Sequence, residues 1–527
     1  MRIKVEVSVQ MVIKSAELRD KILGCWNGKN VGGVLGGPYE EYPRTTHDVH
    51  FYEQDINGNP PGNDDLDLQL VWLNAVEKYG KRTDAHILAN YWMSYIVPNW
   101  SEYGMAKRNL RAGMQPPLCG YVENPYKDSN GAWIRTELWA CLAPGHPEIA
   151  VRYAYEDAIV DHAEEGVYAT VFCAAMESAA FVVSDKRELI KIGLSYIPEG
   201  CLTAKAVRLV EKCYDEGKDW KQTRIELFTE YPGTFGVSYI PQDALSKDLP
   251  TGIPGMDAPN NIGIIVLGLL YGEDDFDKSL CIAVNCGEDT DCTAATVGAL
   301  FGIIHGNHAL PEKWLSPLNG VINTCCIDLA TTISIPSNVQ ELTDRVIKNI
   351  PKFLDCDKFE FEEKGLDVCV ADEFYCAPEY IYIPHITGHK KSNDLPVKSL
   401  VGLSPFCERY EFGTVGVILD YCGEPFICPG ETRTIKLIVW DNDQCTTPGQ
   451  WVNVKLYTEE GVQLNEGKFL SAPLLSTYQT RTVFEIPVTV ESIYGPTINV
   501  LIDITVPGRS TNGIVKLSLY PGKYNLI

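Results

Sequence analysis

The sequence predicts a multidomain α and β protein, in which an all-α domain precedes a C-terminal antiparallel β-sandwich. Helical apolar spacing dominates from Glu17 to about Leu354. After about Lys364 the apolar residues alternate with polar ones instead, as in strands. A chain of 527 residues also exceeds one ordinary domain. We therefore predict an N-terminal strand in residues 1–14, a helical domain in 15–355 and a sandwich in 365–527.

The N-terminal run Ile3–Met11 alternates strictly between apolar and polar residues, which predicts a half-buried strand. An isolated strand would leave its backbone N–H and C=O groups unpaired. The helical region that follows offers no strand partner. We therefore expect residues 3–11 to pair within the C-terminal sandwich.

The predicted helices are separated by loops rich in Gly, Pro and Asn, notably Asn57–Asn63 and Leu249–Asn260. Many of the helices are rich in alanine, which favours close packing in an all-α domain. The helical segments are Leu66–Tyr79, Asp84–Tyr95, Ala150–Val182, Ala204–Asp215, Trp220–Phe228, Asn261–Tyr271, Thr293–His305 and Leu342–Leu354.

The predicted sandwich consists of short β-branched runs separated by turns. Pro487 lies inside one run, which predicts an edge position or a bulge. A carbohydrate-binding role and a structural or dimerising role both remain open, because fold class alone does not give function. The runs are Thr414–Leu419, Thr434–Val439, Val452–Tyr457, Val483–Val490, Ile498–Ile504 and Ile514–Leu519.

Composition limits the classes of partner and the compartment. The net charge of −25 argues against binding to nucleic acid or to an anionic membrane surface. The 18 cysteines include no C-x-x-C pair, so a structural zinc site is not expected. The N-terminal residues lack the apolar core of a signal peptide, and no segment is long enough to span a membrane. We expect a cytoplasmic protein with free thiols.

Two acidic segments far apart in the chain each precede a helix-like run. They are Asn63–Asp65 and Gly287–Cys292. Hard cations such as Mg²⁺ require several carboxylate and neutral oxygens, which one short loop rarely supplies. Each segment alone is also typical of a helix N-cap. Adjacent like charges are costly without a cation, so the pair of segments predicts a metal site.

Four segments, in this order, resemble those of the ADP-ribosylglycohydrolases, including the dinitrogenase reductase-activating type. Val31–Glu40 is similar to the family's G-D-A-L-G followed by a glutamate, and Asn63–Asp65 is similar to T-D-D. Asn130–Arg135 is similar to N-G-A-x-M-R, and Gly287–Cys292 to G-G-D-T-D-T. The resemblance covers roughly residues 19 to 350 and does not extend to the predicted sandwich.

The resemblance implies one or two Mg²⁺ ions as cofactor. Four positions depart from the family pattern: Gly33 replaces an Asp, Asn63 a Thr, Glu288 a Gly and Cys292 a Thr. An amide oxygen remains an acceptable ligand for Mg²⁺, but a thiol suits it poorly. We therefore expect a second Mg²⁺ ion to bind more weakly than the first. The implied ligand positions are Asn63, Asp64, Asp65, Asp289, Asp291 and Cys292.

The implied catalytic carboxylates are Glu40 and Asp65. Glu40 matches the family's loop glutamate, although Glu41 competes for this assignment, and both residues could also form a solvated acidic pair. Because a metal can activate water and orient sugar hydroxyls, one mobile carboxylate is enough for proton transfer. Asp67 lies one helical turn from Asp64 and is expected to support the site.

The candidate substrate-binding residues are Asn130, Gly131, Arg135 and His162. Arg135 could hold a phosphate or a carboxylate, or could pair with Glu137. A lone histidine such as His162 is also common in a helical core.

The resemblance implies hydrolysis of an N- or O-glycosidic bond at a ribosyl anomeric carbon, on a small-molecule or protein-attached ADP-ribosyl substrate. One alternative is a glycosidase or nucleoside hydrolase acting on another sugar. The other is a non-catalytic module that binds an ADP-ribose-like ligand. The retained carboxylates favour an enzyme, whereas Gly33 and Cys292 favour the binding module.

Overall fold

A computed structural model describes residues 11–40, 46–233, 255–328, 333–363, 365–376, 397–441, 450–465, 467–474, 481–510 and 512–522. It divides the chain into two compact units. Unit 1 contains Met1–Lys107 and Glu123–Cys376, and unit 2 contains Arg108–Val122 and Ala377–Ile527. Unit 1 is mainly helical and unit 2 contains most of the strands, which confirms the predicted multidomain α and β fold.

The α-helices of the described residues are numbered in chain order. They are α1 Ser15–Gly36, α2 Asp64–Tyr79, α3 Ala85–Tyr95, α4 Ser101–Arg111, α5 Leu118–Tyr121, α6 Glu137–Leu142, α7 Pro147–Ala158, α8 Glu164–Ala179, α9 Lys186–Ser195, α10 Leu202–Asp215, α11 Trp220–Glu230, α12 Ala258–Tyr271, α13 Phe276–Asn285, α14 Thr290–His305, α15 Glu312–Leu315, α16 Val339–Asn349 and α17 Val397–Val401.

Helices α1 and α14 pack backbone to backbone through glycines. Gly24 and Gly28 of α1 lie against Gly302 and Gly298 of α14, and a Cβ atom at any of the four would overlap the opposite backbone. Only glycine allows so close an approach. The pairing runs antiparallel, because residues late in α1 meet residues early in α14.

Most predicted helices agree with the structure within a few residues, but two differences stand out. The segment predicted as Ala150–Val182 is two helices, α7 and α8, separated at residues 159–163. Helix α1 was not predicted, because its glycines lower local helix propensity. Its stability comes instead from burial against α14, since most helical stability in proteins is tertiary.

A three-stranded sheet belongs to unit 1, so this unit is not purely helical. Strand β1 (Val12–Ile13) pairs with β3 (Gly365–Cys369), which pairs with β2 (Phe359–Glu362). The Lys14 ammonium binds the Asp367 carboxylate at 2.6 Å. The predicted sandwich boundary at residue 365 is therefore too early, because β3 completes this small sheet. Of the residues 3–11 predicted to pair within the sandwich, only Met11 is described, and its carbonyl accepts the Val370 N–H of unit 1 at 2.9 Å.

The strands of unit 2 form two five-stranded sheets, with orders β10-β8-β12-β13-β6 and β4-β5-β7-β11-β9. Neighbouring strands are antiparallel except β13 and β6. All six predicted runs are strands. The strands are β4 Cys407–Glu411, β5 Val415–Asp420, β6 Phe426–Ile427, β7 Thr432–Asp441, β8 Gln450–Thr458, β9 Val462–Leu464, β10 Phe469–Leu474, β11 Arg481–Val490, β12 Ile498–Thr505 and β13 Asn512–Pro521.

One apolar core joins the inner faces of the two sheets of unit 2. It also includes Met114, Leu118 and Cys119, which explains why residues 108–122 belong to this unit although they interrupt the helical region in sequence. Pro487 pairs with β7 on one side, and on the other side the described pairing with β9 begins only at Val488. Its position is therefore locally that of an edge, as predicted.

Two further expectations concern the described residues. No helix among them is long and apolar enough to cross a membrane. Every cysteine among them is a free thiol.

Candidate active site

The two acidic segments meet at one place in unit 1. The Asn63 side-chain amide donates to the Asp291 carboxylate at 3.1 Å, across 228 residues of sequence. Carboxylate oxygens of Glu40, Asp289 and Asp291 all lie within 4.8 Å of one another. We call Glu40, Asp64, Asp289 and Asp291 the acidic cluster.

The glycine interface positions this cluster. A Cβ atom at Gly32 or Gly36 would overlap the backbone of Ala294 or Thr290, so the end of α1 lies directly on the start of α14. The Thr290 hydroxyl also donates to the Gly36 carbonyl at 2.9 Å. The loop that follows α1, and with it Glu40, is thereby held beside the first turn of α14.

The cap interpretation holds for one acidic segment and not for the other. The side-chain Oδ1 atom of Asn63 accepts the Asp65 backbone N–H at 2.8 Å, so Asn63 is the N-cap of α2. Asp289 stands at the N-cap position of α14 but makes no side-chain cap bond. Its carboxylate instead accepts the Asn130 amide at 2.8 Å. One carboxylate oxygen of Asp289 and one of Asp291 are buried without a hydrogen-bond partner.

Burial and repulsion perturb the carboxylates. The pKa of Asp289 is raised well above its usual value by burial, by Asp291 and by Glu40. The pKa of Asp64 is also raised, first by burial and then by Asp291. Buried like charges with unpartnered oxygens are unfavourable unless a cation offsets them. The donor set is all oxygen, which fits a hard divalent cation.

Asp65 differs from the cluster because a lysine lies beside it. The Lys29 ammonium is 3.5 Å from the Asp65 carboxylate and 2.8 Å from that of Glu137. Burial lowers the pKa of Lys29, but Glu137 and Asp65 outweigh that effect, and the lysine stays charged. Gln69 donates to Glu137 and also to the Asp65 backbone carbonyl. The charge of Asp65 is thus partly offset without a metal.

Three of the departures from the family pattern lie at the site, and two of them, Gly33 and Asn63, lie against each other. The Cys292 thiol donates to the Asp65 carboxylate at 3.3 Å, so position 292 faces the site. A Cβ atom at position 33 would lie 2.7 Å from the Asn63 amide nitrogen. Gly33 therefore provides the space that the longer Asn63 side chain occupies.

Two predicted substrate residues lie beneath the site and do not line its cavity. Arg135 is fully buried and donates to Asp157 at 2.8 Å and to Asp161 at 2.6 Å. His162 is equally buried, with Nδ1 2.9 Å from Asp161 and Nε2 2.8 Å from the Ser129 hydroxyl. Neither residue faces the cavity directly. Their contacts support the segment that carries Asn130 and Gly131.

The carboxylates of Asp67 and Glu288, two acidic residues named in the sequence analysis, accept hydrogen bonds from backbone N–H groups. Asp67 accepts the N–H groups of Cys325 and Cys326, both at 2.7 Å, and so anchors that loop. Glu288 has a φ of 65°, in the left-handed region that favours the glycine of the family pattern. Its carboxylate accepts the Gly255 backbone N–H. A glutamate that replaces a glycine so close to the site would be expected to offset the Asp that Gly33 replaces, but the Glu288 carboxylate is used by the backbone instead.

A cavity of about 910 Å³ opens onto the acidic cluster. Of the predicted residues, Asn130, Gly131, Asn63 and Cys292 line it, whereas Glu41 lies outside the described residues. Sequence reasoning missed the lining residues Trp100–Tyr103, at and just before the start of α4. Trp100, Glu102 and Tyr103 carry no motif, although one signal was available in the aromatic and acidic residues that open an otherwise polar helix. The Tyr103 hydroxyl donates to the Asp64 carboxylate at 2.8 Å.

Comparison with known proteins identifies the family of this chain. A family model described as ADP-ribosylglycohydrolase matches residues 14–349. The chain belongs to the ADP-ribosylglycohydrolase family. No curated protein matches this family member. A cryo-EM structure of the native conformation of E. coli alpha-2-macroglobulin aligns at 20% identity and a TM-score of 0.18, over 21% of this chain and 7% of that one. A likeness that weak carries no argument.

Restoring the family threonine at position 292 is expected to strengthen metal binding. Titration calorimetry with Mg²⁺ on the unchanged protein should show one strong and one weak step, because a thiol is a poor ligand for a hard cation. Cys292→Thr should tighten the weak step. The matched control is Cys213→Thr, which removes a thiol bonded to Glu226 at the same 3.3 Å elsewhere in unit 1. Unchanged affinities in Cys292→Thr would show that position 292 does not contribute to metal binding.

Proposed function

We propose that this ADP-ribosylglycohydrolase family member is a Mg²⁺-dependent hydrolase of an N- or O-glycosidic bond at a ribosyl anomeric carbon. The observation that supports this most directly is the convergence of Glu40, Asp289 and Asp291 on a cavity. One buried oxygen of Asp289 and one of Asp291 have no hydrogen-bond partner there. Family membership supports the reaction class, and the substrates it implies are ADP-ribosylated small molecules or proteins.

Asp64, Asp289 and Asp291 would hold the metal. Glu40 lies beside them on the solvent-exposed side and is not counted as a ligand. Asp65 and Cys292, whose ligand atoms lie within 4.8 Å of one of Asp291, would hold a second ion more weakly, because a thiol suits Mg²⁺ poorly. A bound Mg²⁺ ion supplies Lewis acidity and orients sugar hydroxyls. Asn130 and Tyr103 fix the orientations of Asp289 and Asp64 through hydrogen bonds of 2.8 Å each.

Glu40 is the proposed proton-transfer residue, with Asp65 as the second catalytic carboxylate. Glu40 is exposed, whereas Asp289 and Asp291 are buried, so Glu40 can exchange protons with solvent. In the reaction the glycosidic bond breaks at the anomeric carbon, and a water oxygen forms the new bond. The Glu40 carboxylate would accept the proton released by the water and pass it to the leaving group, so that the carboxylate returns to its starting state.

Removal of the metal and replacement of Glu40 should separate two roles. Chelation is expected to stop turnover of ADP-ribosylated and ribosyl substrates, and added Mg²⁺ to restore it. Glu40→Gln should lower kcat by about 10²–10⁴-fold, the usual contribution of a general acid or base. Its metal affinity should change far less. Glu312→Gln, an exposed change at the start of α15, is the control.

Two outcomes would contradict this proposal. Full turnover after chelation would exclude metal dependence. Tight metal binding without turnover of any glycosidic substrate would favour the non-catalytic binding module instead.

A further inference from the structure

We propose a separate site for Zn²⁺, formed by the side chains of Asp67, Cys325 and Cys326. Its donors are two sulfurs and one oxygen, so it differs in chemistry from the all-oxygen acidic cluster, for which Mg²⁺ is expected. It lies at the wall of the same cavity, which Cys325 lines. The inference does not depend on the proposed hydrolysis, because it concerns other residues and another cation.

The sulfur atoms of the adjacent residues Cys325 and Cys326 have nearly the spacing of zinc ligands. They lie 3.6 Å apart. Two sulfurs that are each about 2.3 Å from a tetrahedral Zn²⁺ ion are about 3.8 Å apart. The sequence analysis expected no structural zinc site because the chain has no C-x-x-C pair, but adjacent cysteines fall outside that pattern. Only a small movement of the two side chains is needed to hold the cation.

Asp67 supplies an oxygen to the same point. One of its carboxylate oxygens lies within 4.8 Å of both sulfurs. Its Oδ2 atom accepts the backbone N–H groups of Cys325 and Cys326, both at 2.7 Å, which fixes the carboxylate beside the thiols. Its Oδ1 atom is buried and has no hydrogen-bond partner among the described residues. Such an oxygen is costly, and a bound cation would remove that cost.

Solutes can reach the site through Cys325. This cysteine is exposed, whereas Cys326 and Asp67 are buried. A cation that enters past Cys325 therefore binds against the buried carboxylate and the buried sulfur. On binding, the two thiol protons pass to solvent and the thiolates become ligands, so the step needs neither an oxidant nor a reductant.

Helix α2 connects this site to the acidic cluster. Asp64 of the cluster and Asp67 both lie in its first turn. A Cβ atom at Gly62 would lie 2.7 Å from the carbonyl carbon of Thr324, so the segment that leads into α2 lies directly against the loop that carries the cysteines. The zinc site is thus a neighbour of the proposed Mg²⁺ site and not part of it, because its donors form a group of their own.

The test uses Co²⁺ as a spectroscopic substitute for Zn²⁺, added to the reduced full chain in excess Mg²⁺. Co²⁺ bound to thiolates gives an intense charge-transfer absorption, and Mg²⁺ does not compete for sulfur ligands. We expect one equivalent of Co²⁺ to produce this absorption and one equivalent of Zn²⁺ to remove it. X-ray absorption at the zinc edge should then show two sulfur atoms at about 2.3 Å.

Two variants test the assignment of the ligands. Cys325→Ser and Asp67→Asn should each weaken Zn²⁺ binding by at least about tenfold, since loss of even an outer partner of a metal site has that effect. The asparagine oxygen can still accept the two backbone N–H groups, so this change tests the ligand and not the loop. Cys356→Ser, which alters another exposed thiol of unit 1, is the matched control. Because Cys325 is exposed, its variant decides the question even if Asp67→Asn does not fold.

Three results would overturn the site: no thiolate absorption with Co²⁺ in the reduced protein, an absorption that survives Cys325→Ser, or one that Cys292→Ser removes. The last would place the sulfur-bound cation at Asp65, Asp291 and Cys292. An intact Co²⁺ absorption that depends on Cys325, without any Mg²⁺-dependent turnover, would support this site and contradict the proposed hydrolysis.

Discussion

Replacing Asp289 and Asp291 together by alanine is expected to abolish Mg²⁺ binding and reduce turnover to background. An Asp291 oxygen lies within 4.8 Å of ligand atoms of Glu40 and Asp289, and one also lies within 4.8 Å of those of Asp65 and Cys292. Both residues are 5% exposed, so solvent offers no replacement donor in the same geometry. The measurements are metal stoichiometry by calorimetry and turnover on ribosyl substrates.

The same double variant should have an opposite effect on the metal-free protein. Removal of two repelling buried carboxylates relieves an unfavourable interaction, so the metal-free variant should melt no earlier than the unchanged protein. The rise in Tm that Mg²⁺ gives to the unchanged protein should disappear, because a ligand stabilises only the state that binds it. Asp48→Ala combined with Asp55→Ala, both exposed, is the control. Full metal stoichiometry in the Asp289 and Asp291 variant would contradict the site.

Gly28→Ala is expected to destabilise unit 1 by about 1–3 kcal/mol, the usual cost of overpacking. Its Cβ atom would overlap the Gly298 backbone carbonyl, so α1 and α14 must separate. The gain in helix propensity, about 1 kcal/mol, opposes this effect without cancelling it. Denaturant unfolding measures the loss. Mg²⁺ affinity should fall as well, because the same interface holds Glu40 beside α14.

Gly200→Ala is the matched control for the glycine interface. No atom lies within 4 Å of the Cβ position at Gly200, so this change should leave stability nearly unaltered. A Gly28→Ala protein as stable as the Gly200→Ala protein would show that α1 and α14 do not touch at Gly28.

The departures at positions 33 and 63 illustrate how far sequence reasoning reached. The family pattern identified both as substitutions, and each was interpreted as the change of one metal ligand. In the structure the two substitutions are sterically coupled, because the Asn63 amide fills the space in which a side chain at position 33 would lie. Contacts between residues that are far apart in the chain cannot be inferred from a single sequence. The same limit explains Arg135, whose partners Asp157 and Asp161 are 22 and 26 residues away.

The sequence by itself determined the family motifs, the two acidic segments and the sandwich strands. Strand alternation is a local pattern, and Val483–Val490, for example, was predicted within two residues of β11. Only the tertiary structure decided that the glycine-rich segment 15–36 is a helix, since its glycines oppose helix formation until α14 covers them. It alone placed Trp100 and Glu102 at the cavity. Their residue types are ordinary at the start of a helix, and burial beside Gly131 is a property of the fold.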